Sequence, residues 1–404
     1  MLAALAVFVL VMPVAVVGLL AAAVVSAAVV DGLLARRVPP VRRTVPRVLA
    51  RGVPARLTLE VSPGPTRVRL RQPVPPDLEL TPSEEDGALH SEVVGRRRGR
   101  HTLPPAALRV EGPLGLAAWY RRALDETTTL VYPDLPAAFR MARSARVGRF
   151  RETGQRRGPL GLGTEFESIR DYLPDDDIRQ LNWQATARVG RPMSNQYRVE
   201  QDRDLVGLVD AGRLMATPLA GRARLDAAID ALAAVAVVAD ELGDRCGAVA
   251  FDSAVRRDIR PRRRGGRAVV RGLFDLEPAP VDSNYNLAFH HIGGSKRALV
   301  LVFTDLLEES AARPLVDAVP VLARRHFVAI ATALDEDLEA MVSMTPTAPP
   351  DVYRAAVALD VLEARAVVAR RLRAAGAEVI EAPPDKLGAA CVDAYLKAKL
   401  RARL

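Results

Sequence analysis

Apolar positions dominate the start of the chain. Leu2 to Val30 carries no charged residue. As a helix that run would be about 44 Å long, against about 30 Å of bilayer hydrocarbon. One tilted span fits. Two spans would need about 34 residues plus a turn, so a hairpin fits poorly. Pro13 and Gly18 are candidate kinks. The segment ends in a basic flank of Arg36, Arg37, Arg42, Arg43 and Arg47, which predicts that the chain beyond about residue 35 is cytoplasmic. A cleaved signal peptide is the alternative, with Val25–Ser26–Ala27 as its site. The run is too long for one and lacks an initial basic residue.

From 44 to 141 the pattern changes to a period of two. Leu57, Leu59 and Val61 alternate with polar neighbours, as do Val68 and Leu70. Prolines at 63, 65, 73, 75, 76 and 82 argue against helices. A small β-sandwich is predicted. Residues 142–162 are rich in Arg and Gly with almost no apolar periodicity, and read as a basic linker.

From 203 to 404, short apolar runs alternate with helical periodicity. Strands are predicted at Leu205–Val209, Gly247–Phe251, Val255–Ile259, Ala298–Phe303, Phe327–Thr332 and Glu378–Ile380. Helices are predicted near 221–241, 310–325, 352–375 and 387–400. The first carries Leu225, Ile229, Leu232, Ala236 and Ala239 on one face, and the third carries Val361, Ala364, Val368 and Leu372. This alternation implies an α/β fold with a doubly wound parallel sheet. Such sheets place sites at the carboxyl ends of strands, where Asp210 and Asp305 stand, with Thr304 beside the latter. Hard cations favour oxygen ligands of that kind. Capping of the following helix is the simpler use of either carboxylate.

Composition adds less. The chain has 404 residues, 57 Lys plus Arg against 48 Asp plus Glu, and a formal net charge of +9. The dense basic runs, Arg96–Arg98 with Arg100 and Arg260 with Arg262–Arg264, lack interleaved aromatics, so they read as solvated loops and no nucleic-acid partner is expected. The two cysteines, Cys246 and Cys391, are far apart, and Cys246 sits in an apolar run suited to a core. There is no G-x-x-x-x-G-K-[ST] loop. Histidines 90, 101, 290, 291 and 326 fit no hydrolase pattern.

The segment Gly163–Trp183 reads GTEFESIRDYLPDDDIRQLNW. It resembles the signature of the domain of unknown function family 58. Glu165, Phe166, Arg170, Tyr172, Pro174, Asp176, Arg179 and Trp183 fit that signature, and Asp175 departs from its usual Gly. Ala187, Arg188, Arg198 and Glu200 fit downstream positions, and Gly95–Leu116 resembles the family's β-rich region. Residues 163–202 are thereby set apart as a signature region, read as a polar clasp in which Arg170 and Arg179 pair with Glu165, Asp176 or Asp177 while Phe166 and Trp183 bury. A docking surface for a partner is the other reading.

The resemblance implies a von Willebrand factor A-like domain over 203–404. It also implies a membrane anchor, usually of two spans, and partnership with a MoxR-type AAA+ ATPase in the assembly or maturation of protein complexes. Type A domains often hold a divalent metal through D-x-S-x-S, with a Thr and an Asp from later loops. Here Asp210 is kept, Gly212 and Leu214 replace the serines, and Asp305 matches the later Asp. No matching Thr is evident in Asp282–Asn286. The resulting expectation is a membrane-anchored, non-enzymatic interaction protein that binds no cofactor, its Mg²⁺ site degenerate. A metal-dependent enzyme or hydrolase using the strand-end carboxylates Asp210 and Asp305, with the acidic run Asp175–Asp177, is the competing one.

Overall fold

The computed structural model describes residues 14–134, 138–140, 165–173, 178–198, 204–292, 297–306 and 309–400. The basic linker expected at 142–162 lies outside them, as do Pro13, Pro174, Asp175, Asp176, Asp177 and Glu200. The protein is mixed α/β, with several sheets and an apolar N-terminal helix. It divides into two compact units, Met1–Tyr132 and Pro133–Leu404.

The first unit opens with helix α1 (Val14–Ala35). Its Val16–Ala35 stretch has a mean hydropathy of 2.2 and is long and apolar enough to cross a membrane. Gly18 lies inside the helix without breaking it. The helix also continues past the uncharged run to include Asp31.

Eleven β-strands are described in the rest of the unit. They are β1 (Val41–Thr44), β2 (Val48–Ala50), β3 (Ala55–Val61), β4 (Arg67–Arg71), β5 (Leu78–Thr81), β6 (Glu84–Asp86), β7 (Ala88–Gly95), β8 (Gly99–Leu103), β9 (Ala106–Glu111), β10 (Ala118–Ala123) and β11 (Thr127–Tyr132). They pair as three sheets, β1-β3-β7-β5, β10-β9-β4-β6 and β2-β11-β8. Period-two burial lets all three contribute to one core, which includes Leu57, Leu59, Leu70, Leu89, Leu103 and Leu108. The Arg96–Arg100 run is not simply solvated. Arg96 pairs with Glu79, and Arg98 is buried at 1% exposure.

In the second unit, β12 (Glu165–Asp171) and β13 (Met193–Arg198) form an antiparallel pair flanking helix α2 (Trp183–Val189). The main sheet follows. Its strands are β14 (Asp204–Asp210), β17 (Arg245–Phe251), β18 (Val255–Arg263), β19 (Ala298–Phe303), β20 (Phe327–Ala333) and β21 (Glu378–Ala382), with the short pair β15 (Pro218–Leu219) and β16 (Arg222–Ala223) lying between β14 and β17 in the chain. Their spatial order is β18-β17-β14-β19-β20-β21. All neighbours are parallel except β18, an antiparallel edge. Arg260 and Arg262–Arg264 lie exposed on or just after that edge, where charge discourages pairing with another chain.

Because both faces of the sheet are covered, β14 and β19 are apolar at successive positions rather than alternate ones. Leu205 and Val209 pack with helices α3 (Arg224–Glu241), α4 (Gly266–Leu273) and α9 (Leu387–Leu400). Val206 and Leu208 point into the opposite cluster, with α5 (Tyr285–Ile292), α6 (Glu309–Ala323) and α8 (Pro349–Ala374). The five named apolar residues of α3 are all buried. On α8 the buried face is Ala358, Arg365, Val368, Ala369 and Leu372, so an arginine lies on the stripe. Helices α4, α5 and α7 (Glu336–Ser343) have eight residues each, about two turns, too few for periodicity to stand out.

Two outcomes are expected. A Cβ at Gly265 would lie 2.0 Å from the Cys246 carbonyl oxygen and 2.7 Å from that of Arg262, backbone atoms that no rotamer change can move aside. Gly265→Ala should therefore cost about 1–3 kcal/mol, read by chemical denaturation, and a cost near zero would refute the packing. Burial pushes the Cys391 thiol up to about 12 and that of Cys246 higher still, so both stay protonated at pH 8. Neither should react with iodoacetamide until the protein is unfolded, and rapid labelling of the native chain would contradict this.

Candidate functional site

The parallel strands β14 and β19 end side by side, with Leu208 opposite Val302 and Val209 opposite Phe303. Asp210 and the Thr304–Asp305 pair therefore emerge at the same edge. Asp210 is 1% exposed, Thr304 2% and Asp305 4%, so two carboxylates leave water here. A buried carboxylate needs hydrogen-bond donors or counter-charge.

Asp210 is satisfied by donors. The Gly212 N–H donates to Oδ1 at 2.8 Å, and the Ser283 hydroxyl donates to the same oxygen. Oδ2 accepts from Tyr285 at 2.9 Å and from Thr304 Oγ1 at 2.7 Å. Each oxygen thus faces two donors, and a carboxylate offers about four acceptor sites in all. Burial, with Asp210 adding its negative charge, holds the Tyr285 phenol well above its ordinary pKa, so it keeps the proton it donates.

Gly212 allows this arrangement. A Cβ there would fall 2.1 Å from Ser283 Oγ and 2.8 Å from the Val281 carbonyl oxygen. A serine, which D-x-S-x-S would require, does not fit while Ser283 occupies the space.

Asp305 is satisfied by charge. Its Oδ2 lies 3.1 Å from Arg224 Nε, and its Oδ1 lies 3.2 Å from Arg365 Nη2. Arg224 is 3% exposed and Arg365 5%. Arg224 also donates to the Ala333 carbonyl at 2.9 Å and lies 3.5 Å from Asp335. Burial raises the Asp305 carboxyl above its ordinary range, with the two guanidiniums opposing that rise. Burial lowers Arg224, opposed by Asp305. Asp210 closes a turn onto Gly212, and Asp305 is an ion-pair acceptor. A cavity of about 10 Å³ adjoins Arg224, Thr304 and Asp305. That is room for about one water and for no substrate.

The sequence singled out Asp210, Thr304 and Asp305 but missed Ser283, Tyr285, Arg224 and Arg365. An arginine on an otherwise apolar helical stripe, three before Val368 and seven before Leu372, was the available signal for Arg365. Nothing in the local pattern marks Ser283 or Tyr285, which reach Asp210 across more than 70 residues of chain.

The signature residues form a separate group. The β12–β13 register sets Glu165 opposite Arg198 and Phe166 opposite Tyr197. The side chains of Glu165, Phe166, Arg179 and Arg198 lie outside the described residues, so the pairings expected of Arg179, Glu165, Asp176 and Asp177 do too. Arg170 donates to the Asp171 carbonyl at 2.9 Å, and Asp171 pairs with Arg191. Tyr172 is half-buried.

Trp183 is not buried, contrary to what the clasp reading expects of it. It is 71% exposed, as the first residue of α2. Its position is fixed by backbone chemistry: Asn182 caps the helix by accepting from the Ala185 N–H at 2.9 Å, and Gly190 ends it in the left-handed region. Ile178, at 72% exposure, and Leu173, at 54%, are also uncovered nearby in the chain.

Residues 168–345 match the family model described as "Protein of unknown function DUF58". The matched span contains Trp183, Asp210, Arg224, Ser283, Tyr285 and Asp305. Arg365 lies beyond it. An uncharacterized protein of Mycobacterium bovis is 26% identical over 269 residues, covering 60% of this chain and 82% of that protein. An uncharacterized protein of Mycobacterium tuberculosis H37Rv matches at the same level. A crystal structure of an uncharacterized membrane spanning protein from Vibrio fischeri is 14% identical, covering 49% of this chain and 98% of that one, with a TM-score of 0.16, too low to support an argument from structure.

Asp305→Asn would leave two buried guanidiniums short of their shared counter-charge, and a destabilisation of about 3–5 kcal/mol is expected. Combining it with Arg365→Leu should cost less than the sum of the two single changes. Hydrogen exchange of the Ala298–Phe303 amides reads both effects. Additive costs would show that the pair is not coupled.

Proposed function

We propose that this chain is a membrane-anchored, non-enzymatic interaction protein whose second unit presents a docking surface. The observation that carries this reading is the exposure of Trp183. A tryptophan on a capped, well-defined first turn is a typical anchor for a protein partner, and Trp is enriched among residues that dominate binding energy. Ile178 and Leu173 supply further exposed apolar area.

The strand ends support the same reading from the other side. We read the six-stranded sheet, with its antiparallel edge strand and helices on both faces, as von Willebrand factor A-like, with its metal position closed. A divalent cation at Asp210 would have to displace hydroxyl or amide donors that already fill both oxygens. At Asp305 it would face two guanidiniums. Hydroxyl oxygens are themselves ligands that a hard cation accepts, so what weighs against a metal here is the pair of guanidiniums at Asp305, and no reaction step is assigned to one. The metal-dependent enzyme or hydrolase remains the competing reading and requires a strand-end carboxylate free to bind metal or substrate.

The proposed partner is a MoxR-type AAA+ ATPase or its client, with α1 holding the protein to the membrane and the remainder in the cytoplasm. ATP chemistry would belong to the partner. The dense basic runs give no reason to add a nucleic acid: Arg98 is buried, Arg96 is paired, and Arg260 and Arg262–Arg264 guard a sheet edge.

Co-purification of the full chain from membranes tests the reading. An AAA+ ATPase should accompany the native protein and be lost with Trp183→Ala, while the variant's thermal midpoint stays unchanged because the side chain is exposed. Equal recovery with the variant would remove Trp183 from the docking surface.

A further inference from the structure

The loop between β9 and β10, with the first three residues of β10, departs from the polar character expected of an exposed turn. From Gly112 to Tyr120 it reads GPLGLAAWY and carries no charge. Leu114 is 62% exposed, Leu116 51%, Trp119 40% and Tyr120 76%. Four large apolar or aromatic side chains at one hairpin tip are costly in water. In the first unit this tip is fastened to the end of α1.

The fastening is specific. Asp31, fully buried, accepts from the Leu114 N–H at 2.8 Å, the Leu116 N–H at 2.8 Å and the Ala117 N–H at 3.0 Å. Successive backbone donors of a turn form an anion-holding nest of this kind. Gly112 makes room for the carboxylate, since a Cβ there would come within 2.1 Å of Asp31 Oδ1. The Trp119 indole N–H donates to the Gly32 carbonyl at 2.8 Å, satisfying one of the orphan acceptors at the end of the helix. Arg121 stacks over the Trp119 ring at 4.8 Å, and Arg122 follows it.

Asp31 and Gly32 mark the level at which the uncharged run ends and the basic flank of Arg36 and Arg37 begins. For a spanning helix, that is the level of the lipid headgroups. Trp and Tyr concentrate at this depth because they combine an apolar body with a polar handle, and neighbouring arginines reach outward to phosphates. We propose that the Gly112–Tyr120 tip is a second membrane-contact element, lying in the headgroup region of the leaflet where α1 ends and held there by the Asp31 clamp. This rests on the reading of α1 as a membrane span. The occupant of the tip is the bilayer interface itself, because the apolar tip is continuous with the lipid-facing helix and is edged by cationic side chains.

The chain has two tryptophans, so Trp183→Phe leaves Trp119 as the single indole. The full-length variant would be placed in lipid nanodiscs of zwitterionic and anionic phospholipid carrying spin labels high on the acyl chain. Trp119 emission should be quenched by these shallow labels and shielded from aqueous iodide. A second chain, with Leu20→Trp and both native tryptophans changed to Phe, reports on α1 and should be quenched by labels deep in the acyl chain. If Leu20→Trp is quenched but Trp119 answers only to iodide, the hairpin proposal is overturned while the anchor stands. If neither indole is quenched by lipid labels, the anchor reading falls and takes the proposal with it. Protection of Trp119 from both quenchers would mean that protein covers the tip, which also overturns it.

Discussion

Two carboxylates that leave water at the ends of adjacent parallel strands set the character of the second unit. The sheet buries apolar residues on both faces, so β14 and β19 deliver Asp210 and Asp305 into a desolvated edge. An uncompensated charge there would cost several kcal/mol. The chain compensates the two differently. Asp210 collects neutral donors from three segments, and Asp305 collects two guanidiniums from two helices. Each solution ties the strand ends to the loops and helices around them. The Asp210 half is hydrogen-bonded at both oxygens, whereas Arg224 Nε and Asp305 Oδ2 meet as an ion pair without a hydrogen bond, and buried polar networks are costly where they are only partly satisfied.

The same physical problem recurs in the first unit, where Asp31 stands inside an apolar helix. There the compensation comes from backbone N–H groups of a hairpin loop. A buried charge again serves as a fastening point, this time between a helix and a sheet. Its position at the end of the apolar run connects the fold to the proposed anchoring role, because the clamp fixes which part of the β-rich unit sits beside the end of the helix.

The parallel core was legible in the sequence because strands buried on both faces read as continuous apolar runs. Ala298–Phe303 appears with the expected limits, and the helix at Leu387–Leu400 likewise. The three eight-residue helices of the second unit were not legible, since two turns give too little periodicity. Asp210 and Asp305 could be placed at strand ends from spacing alone. Their partners could not, because Ser283, Tyr285, Arg224 and Arg365 meet them only through tertiary packing. Trp183 was expected to bury on the strength of its residue type, but the Asn182 cap leaves it on an exposed first turn. Arg98 reversed the opposite expectation: an arginine in a basic run is held inside the first unit.

In the reading proposed here, the strand-end cluster carries within the chain the positive charge that a bound cation would otherwise supply, leaving recognition rather than catalysis as the role of the domain. Calorimetric titration of the purified full chain with MgCl₂ and MnCl₂ tests this most directly. The account expects no saturable heat at millimolar metal. Stoichiometric binding that disappears in Asp210→Asn would contradict it and restore the metal-dependent alternative.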